Sequence, residues 1–301
     1  IGDGSNEARI VISGNTENGI LIQGDSGSAD SVRVAGNFIG VDVTGQVALG
    51  NTQNGVLVSN NGGAVAIGGL ITEYPNVISA NQSHGVFILN STNTLVANSY
   101  IGTDSSGVVG LGNAGRGIFL QGSTANAIGL QESDSLIIAF NGSHGIEIDS
   151  GNNNAIFGSS IFSNVGVGIE LAAGANNFIA VPTILGILPD STIYGQSGAN
   201  AFMQLYADGT DEGKQYLGSA IANGNGVWAV KLADDIDAGL VNFTATQTDV
   251  SFNTSEFSIP FLIDFATSAH YTVTNLSDNG GTYGTLRFGI ENAVVGDTIL
   301  F

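Results

Sequence analysis

Hydrophobic and polar positions in the first part of the chain follow one short unit, Asn-x-x-x-Gly-apolar-x-apolar, which occurs six times. The asparagines are Asn15, Asn51, Asn81, Asn113, Asn141 and Asn164; the glycines are Gly19, Gly55, Gly85, Gly117, Gly145 and Gly168. The apolar pairs are Ile20/Ile22, Val56/Val58, Val86/Ile88, Ile118/Leu120, Ile146/Ile148 and Ile169/Leu171. Two apolar residues around one variable residue have the period of a strand, with two side chains facing a core and one facing out. Recurrence at two, rather than at three and four, excludes an amphipathic helix. Glycine before each strand predicts a tight corner with positive φ. Asparagine tolerates the same region, bonds its own backbone and stacks on an equivalent asparagine in a neighbouring repeat.

The shortest interval, Gly145 to Gly168, holds two further apolar segments, at Ile156 and Ile161. Three short strands separated by corners fill one coil of a parallel β-helix. Matching segments lie near Ile67, Val96, Ile128 and Ile179, and near Ile12, Ile39, Ile78, Ile101 and Ile138. Longer intervals hold insertions. Residues 40–55 (GVDVTGQVALGNTQNG) and 102–117 (GTDSSGVVGLGNAGRG) are one type; GGLITEYPN from Gly68 and GLQESDS from Gly129 are another. Two coils therefore make a superrepeat whose loops are expected to form ridges. A β-propeller fits less well, because a blade needs four strands in about 40 residues. Residues 1–15 repeat the spacing of residues 67–81, so the chain is expected to begin in mid-coil.

Past Ile179 the pattern changes. Residues 182–262 carry longer alternating runs, AFMQLYAD, KQYLGSAIA, GVWAVKLA and GLVNFTATQT, with turns at DGTDEG, NGNG and DDIDAG. About seven strands of this kind suit an Ig-like or fibronectin-like sandwich. Residues 263–301 shift again. YTVTNLSDNGG reads as strand and turn, residues 285–293 (TLRFGIENA) as an amphipathic helix, and DTILF as a new strand. A short helix there is expected to cap a stack of coils, whose end otherwise exposes its core. The expected fold is all-β: a right-handed parallel β-helix over 1–181, an Ig-like β-sandwich over 182–262, and the capped start of a second β-helix over 263–301.

The segments NVISAN, HGVFI, YIGTDSSGVVGLGN and RGIFLQGSTANAIG resemble large bacterial right-handed β-helix repeat proteins of the cell surface. QTDVSFNTSEFS resembles the small sandwich domain that follows such helices. The run from Thr272 to Phe301 resembles their N-terminal start, with Gly284-Thr285-Leu286-Arg287 followed by Ile290 and Ala293. The resemblance implies a secreted or surface location and no shared catalytic motif.

Charge narrows the partners. Net charge is −20, with six Lys and Arg against 26 Asp and Glu. Phosphate neutralisation needs clustered bases, so nucleic acid is excluded as a general partner, and so is binding to anionic membrane surfaces. No long apolar run suggests membrane insertion. There is no Cys, hence no disulfide scaffold and no thiolate metal site.

Enzymatic readings find little support. A polysaccharide lyase needs a base beside calcium-bound carboxylates. The first 180 residues hold no Lys and only Arg9, Arg33 and Arg116, of which Arg116 reads as a solvent-facing corner residue. Glu147 and Glu170 share the outward position of adjacent coils, with Asp149 and His144 nearby; they are the one carboxylate pair worth testing for hydrolysis. His84 and His144 share a repeat register, better explained by duplication than by zinc. Asp42 and Asp104, in Gly-x-Asp-x-x-Gly, read as turn-capping residues. No cofactor is required. Calcium is the one metal the composition leaves room for, at Asp208, Asp211 and Glu212 or at Asp234, Asp235 and Asp237.

The outward residue of the repeated strand is Leu21, Leu57, Phe87 and Phe119 in four successive coils. An outward position is ordinarily polar, and an apolar stripe marks a partner surface. Either a neighbouring copy or an insertion loop of the same chain is expected to cover it. The expected function is a structural repeat module of a large extracellular adhesin, sheath or filament protein, not an enzyme. Its expected partners are copies of itself or neighbouring parts of the same chain. A carbohydrate-binding or polysaccharide-degrading β-helix is the alternative.

Overall fold

In a computed structural model, each Asn-x-x-x-Gly unit feeds one strand, and the six strands stack in chain order into a single parallel sheet. The structure describes residues 1–24, 31–69, 74–130, 135–188, 190–232, 242–262, 270–272 and 298–300. The sheet (sheet 1) comprises Ile20–Gln23, Val56–Ser59, Val86–Leu89, Ile118–Gln121, Ile146–Ile148 and Ile169–Leu171. Sheet 2 stacks Val11–Ile12, Phe38–Ile39, Asn76–Ile78, Ser99–Ile101, Ile137–Ala139 and Ser160–Phe162. Sheet 3 stacks Val32–Val34, Val65–Ile67, Thr94–Val96, Ala127–Ile128 and Ala155–Ile156. All pairs within these sheets are parallel, and the inward Ile, Val and Leu side chains form one continuous buried core. Ile179 departs from expectation: it ends a short 3-10 turn, Ala175–Phe178, instead of starting a strand.

The repeat glycines also depart from expectation. Positive φ is found at Gly14, Ala80, Phe140 and Ser163, each just before a repeat asparagine, and not at the glycine before the strand. The glycine is required by stacking. A Cβ on Gly55 would stand 2.5 Å from Ile78 Cγ2 and 2.7 Å from the carbonyl oxygen of Gly85 in the next coil. Coils are about 4.8 Å apart, and only a bare Cα leaves room for the neighbouring asparagine and isoleucine.

The asparagines form a ladder through the core side of the corner. Asn15, Asn51, Asn81, Asn113 and Asn141 each donate a backbone N–H and a side-chain amide to the Oδ1 of the next asparagine. The distances are 3.1–3.3 Å for the backbone and 2.7–3.0 Å for the side chain. Buried amides are stabilising only when satisfied, and here most are.

The outer face of sheet 2 carries its own apolar stripe, Phe38, Val77, Tyr100 and Ile137 in direct register. The insertions 40–55 and 102–117 fold over it: Val41 is buried against Phe38 and Val77, and Leu111 packs on the same cluster with Tyr100. They stack on each other through Ser105, whose N–H donates to Gly45 O at 2.9 Å.

Residues 183–262 form two antiparallel sheets. One has three strands, Thr183–Ile187, Thr192–Gln196 and Val227–Lys231. The other orders Gln215–Ile221, Phe202–Asp208, Asn242–Thr248 and Phe261–Leu262. Met203, Leu205, Trp228 and Phe243 are buried here. Segments of these sheets seal the last coil on all three sides. Gly213 bridges Ile161 of sheet 2 with hydrogen bonds of 3.0 and 2.9 Å. Thr254 Oγ1 accepts from Ile156 N of sheet 3 at 2.9 Å, and Glu256 Oε1 from Leu171 N of sheet 1 at 2.9 Å. Phe257 packs against the inner core. The end of the stack is thus closed by side chains and loops, not by the helix expected at 285–293, which lies outside the described residues.

Residues 1–261 form one compact unit and residues 262–301 another. In the second, His270–Thr272 and Thr298–Leu300 pair as parallel strands. Among the described residues no α-helix occurs, and no helix is long and apolar enough to cross a membrane.

Candidate functional site

The outward residues of sheet 1 lie in one register: Leu21, Leu57, Phe87, Phe119, Glu147 and Glu170. Three residues before each strand's outward position stands a corner residue, in order Asn18, Asn54, His84, Arg116, His144 and Val167. These corners form a second ladder. Asn18 Oδ1 accepts from Asn54 N and Nδ2 at 3.2 and 2.8 Å, and Asn54 Oδ1 accepts from His84 N at 3.1 Å. His84 Nδ1 then accepts from Arg116 N at 3.1 Å. A guanidinium has no acceptor, so the ladder stops at Arg116. It restarts at His144, whose Nδ1 accepts from Val167 N at 3.1 Å.

Freed from the ladder, the Arg116 side chain lies back over the sheet. Nε and Nη2 donate to the two carboxylate oxygens of Glu147 at 2.6 and 2.9 Å. Its guanidinium carbon stands 4.6 Å from the centre of the Phe119 ring. Arg116 is therefore a clamp between two coils and not the solvent-facing corner residue the sequence suggested. Phe119 stacks on Phe87 with ring centres 4.9 Å apart, and the His84 ring lies 5.0 Å from Phe119. His144 Nε2 is 3.8 Å from Glu147 Oε2. Burial, and then the charge of Arg116, pull the His84 pKa down to about 4, with Glu147 opposing. A neutral His84 is what the ladder needs, because a protonated ring has no acceptor nitrogen.

Chemically the cluster is closed on itself. Both oxygens of Glu147 are held by Arg116, which occupies the group a hydrolase would need free. Phe119 is 8% exposed, covered by His84 and Arg116, whereas Leu21 is 54% exposed and Leu57 and Phe87 are half-buried. The insertion loops 40–55 and 102–117 lie over sheet 2 instead.

The acidic loop residues separate. Glu212 is buried and caps the asparagine ladder: its Oε2 accepts from Asn164 N at 3.3 Å and its Oε1 from Asn164 Nδ2 at 3.2 Å. Burial raises its pKa to about 7; the hydrogen bonds from Asn164 oppose this and the nearby Asp208 adds to it. Asp208 is buried and also raised, chiefly by burial; one oxygen accepts from Gly209 N at 2.6 Å and the other is buried without a partner. Asp211 is exposed and borders a cavity of about 260 Å³ with Glu170 and Glu256. Asp234, Asp235 and Asp237 lie outside the described residues. Asp42 Oδ1 accepts from Thr44 N, Thr44 Oγ1, Gln46 N and Val47 N within its own turn, and Asp104 does the same with Ser106 and Val109.

Sequence reasoning missed Glu212 and Glu256 as capping groups. The one signal available was indirect: the last asparagine, Asn164, needs an acceptor, and nothing local provides it. No family model matches the chain, and no curated protein matches it.

Proposed function

We propose that this chain is a structural repeat module of a secreted surface protein of the adhesin, sheath or filament kind that its sequence resembles. In this reading residues 1–181 are a right-handed parallel β-helix acting as a rigid rod. Residues 182–262 are an Ig-like sandwich that closes the rod and serves as a joint, and residues 263–301 begin a second helix.

The observation that carries the reading is the asparagine ladder from Asn15 to Glu212. A chain that spends its buried polar groups on linking every coil to the next gains stiffness along the stack, the property a spacer needs. Two further features support it. The sealed end bonds the antiparallel sheets to all three solenoid sheets, and Arg116 neutralises the best-placed carboxylate. An acidic chain without cysteine suits an extracellular setting.

Glycan recognition is the second reading, favoured by the stacked Phe87 and Phe119 rings beside Arg116. Incubation of the purified chain with neutral and acidic polysaccharides, followed by reducing-end and viscosity assays, separates the two. No cleavage is expected. Cleavage that disappears in Glu170→Gln would overturn the structural reading.

A further inference from the structure

The two stacked insertion loops cover the apolar outer face of sheet 2 only in part. The loop 40–55 follows the strand Phe38–Ile39, and the loop 102–117 follows Ser99–Ile101, two coils on. A third loop of the series would follow Ser160–Phe162, again two coils on, but there the chain turns at once into Asn164. The outer stripe therefore continues uncovered. It leaves a groove of about 540 Å³ lined by Val108, Ile137, Phe140, Phe162 and Lys214. The Phe140 and Phe162 rings meet edge to face at 5.6 Å. Lys214, one of six basic residues in the chain, holds its Nζ 5.3 Å from the Phe162 ring centre. Gln215 Oε1, on the same wall, is buried without a partner.

A matching surface stands at the other end of the stack. The outer side of the loop 40–55 exposes Val43, Val47 and Leu49, at 77%, 58% and 51%. Beside them is Asp42, whose one carboxylate oxygen is engaged by its own turn. An apolar ridge with an adjacent carboxylate thus faces one way, and an apolar groove with an adjacent ammonium faces another. Within the chain, the loop 102–117 already shows how this loop type sits on this stripe: Gly107 approaches Tyr100 and Ile137 closely enough that a Cβ would lie 2.9 Å from Ile137 Cδ1.

We propose that the groove is the seat for the 40–55 loop of a second copy of this chain, with Val43 and Val47 on Phe140 and Phe162 and Asp42 toward Lys214. Ridge and groove are different surfaces near opposite ends of the stack, so the contact is heterologous and need not close; copies would join head to tail into a filament. The proposal rests on the structural-module reading and names its assembly surface.

Sedimentation velocity of the full chain at about 0.15 M salt, where charges beyond roughly 8 Å are screened, tests it with two variants. One, Val43→Ser with Val47→Ser, removes the ridge; the other, Phe162→Ser with Lys214→Glu, removes the groove. The wild type is expected to form concentration-dependent oligomers of increasing size, and each variant alone to remain monomeric. An equimolar mixture of the two is expected to stop at a dimer, because one intact ridge and one intact groove remain. If the groove variant melts early, Lys214→Glu alone, an exposed change, carries the same arm. A wild type that stays monomeric up to the highest concentration measured overturns the groove assignment. So does a variant that oligomerises like the wild type, which would place assembly on another surface. Neither outcome touches the structural-module reading, which falls only to polysaccharide cleavage.

Discussion

Glu212 occupies the place of a seventh asparagine beneath Asn164, accepting its backbone N–H and its side-chain amide on two separate oxygens. The other rungs manage the same pair of bonds with a single amide oxygen. The carboxylate is thus a functional substitute whose charge is surplus to the ladder. It comes from a different sheet, so the antiparallel part of the molecule terminates the solenoid's polar core.

A pH dependence follows from Glu212. Its folded pKa, about 7, lies above the ordinary glutamate value of 4.5. The folded state therefore holds the proton more tightly, and this contribution to stability is fully present below about pH 4.5. It is lost as pH rises through 7. Glu212→Gln keeps a carbonyl for Asn164 and removes the buried charge. Its melting temperature is expected to exceed that of the wild type at pH 8 and to approach it at pH 5. Thermal melts at the two values check this, and identical pH profiles for both proteins would contradict it.

His84 pulls the other way. Its folded pKa, about 4, lies below the ordinary 6.5 because burial and Arg116 disfavour the charged ring. Its contribution is fully present above pH 6.5 and is lost as pH falls through 4. Protonation also removes the acceptor for Arg116 N. At the equivalent corner Asn54 performs the same task without titrating. His84→Asn is expected to flatten the acid limb of the stability profile between pH 6.5 and 4 while leaving pH 8 nearly unchanged. Urea unfolding across that range reads it directly, and an acid limb as steep as in the wild type would count against the assignment.

Much of the solenoid was legible because its signal is local and repeated. Alternation at Ile20/Ile22 and its five equivalents placed sheet 1, and the asparagine spacing placed the corners. What failed was anything set by the neighbour coil. Gly55 looked like a conformational requirement, but its own φ is ordinary, and the constraint is the carbonyl of Gly85 lying against it. Arg116 looked like a surface residue because its partner, Glu147, sits one coil on. The outer stripe on sheet 1 was visible from Leu21 to Phe119. The stripe on sheet 2, Phe38 to Ile137, was not singled out, since those strands are only two or three residues long and the period hardly declares itself. Glu212 was read as a metal candidate because sequence shows a carboxylate in a loop and cannot show Asn164 above it.

The ladder itself makes a graded prediction. Asn113 both receives and gives: its Oδ1 serves Asn81 N and Nδ2, and its own amide serves Ile78 O and Asn141 Oδ1. Asn113→Ala would strand two buried donors of Asn81 and remove two bonds from the next rung. Leaving buried donors unmade costs about 1–3 kcal/mol each, partly relieved by relaxation, so a loss of about 2–4 kcal/mol is expected. Asn15, at the exposed edge, only gives, and its backbone N–H survives the change to alanine. Asn15→Ala is therefore expected to cost about 0.5–1 kcal/mol. Urea titration of both variants at one pH measures the ratio. Equal losses would mean that the asparagines act singly, as corner formers that tolerate a turn, and that the stiffness assigned to the ladder has another source.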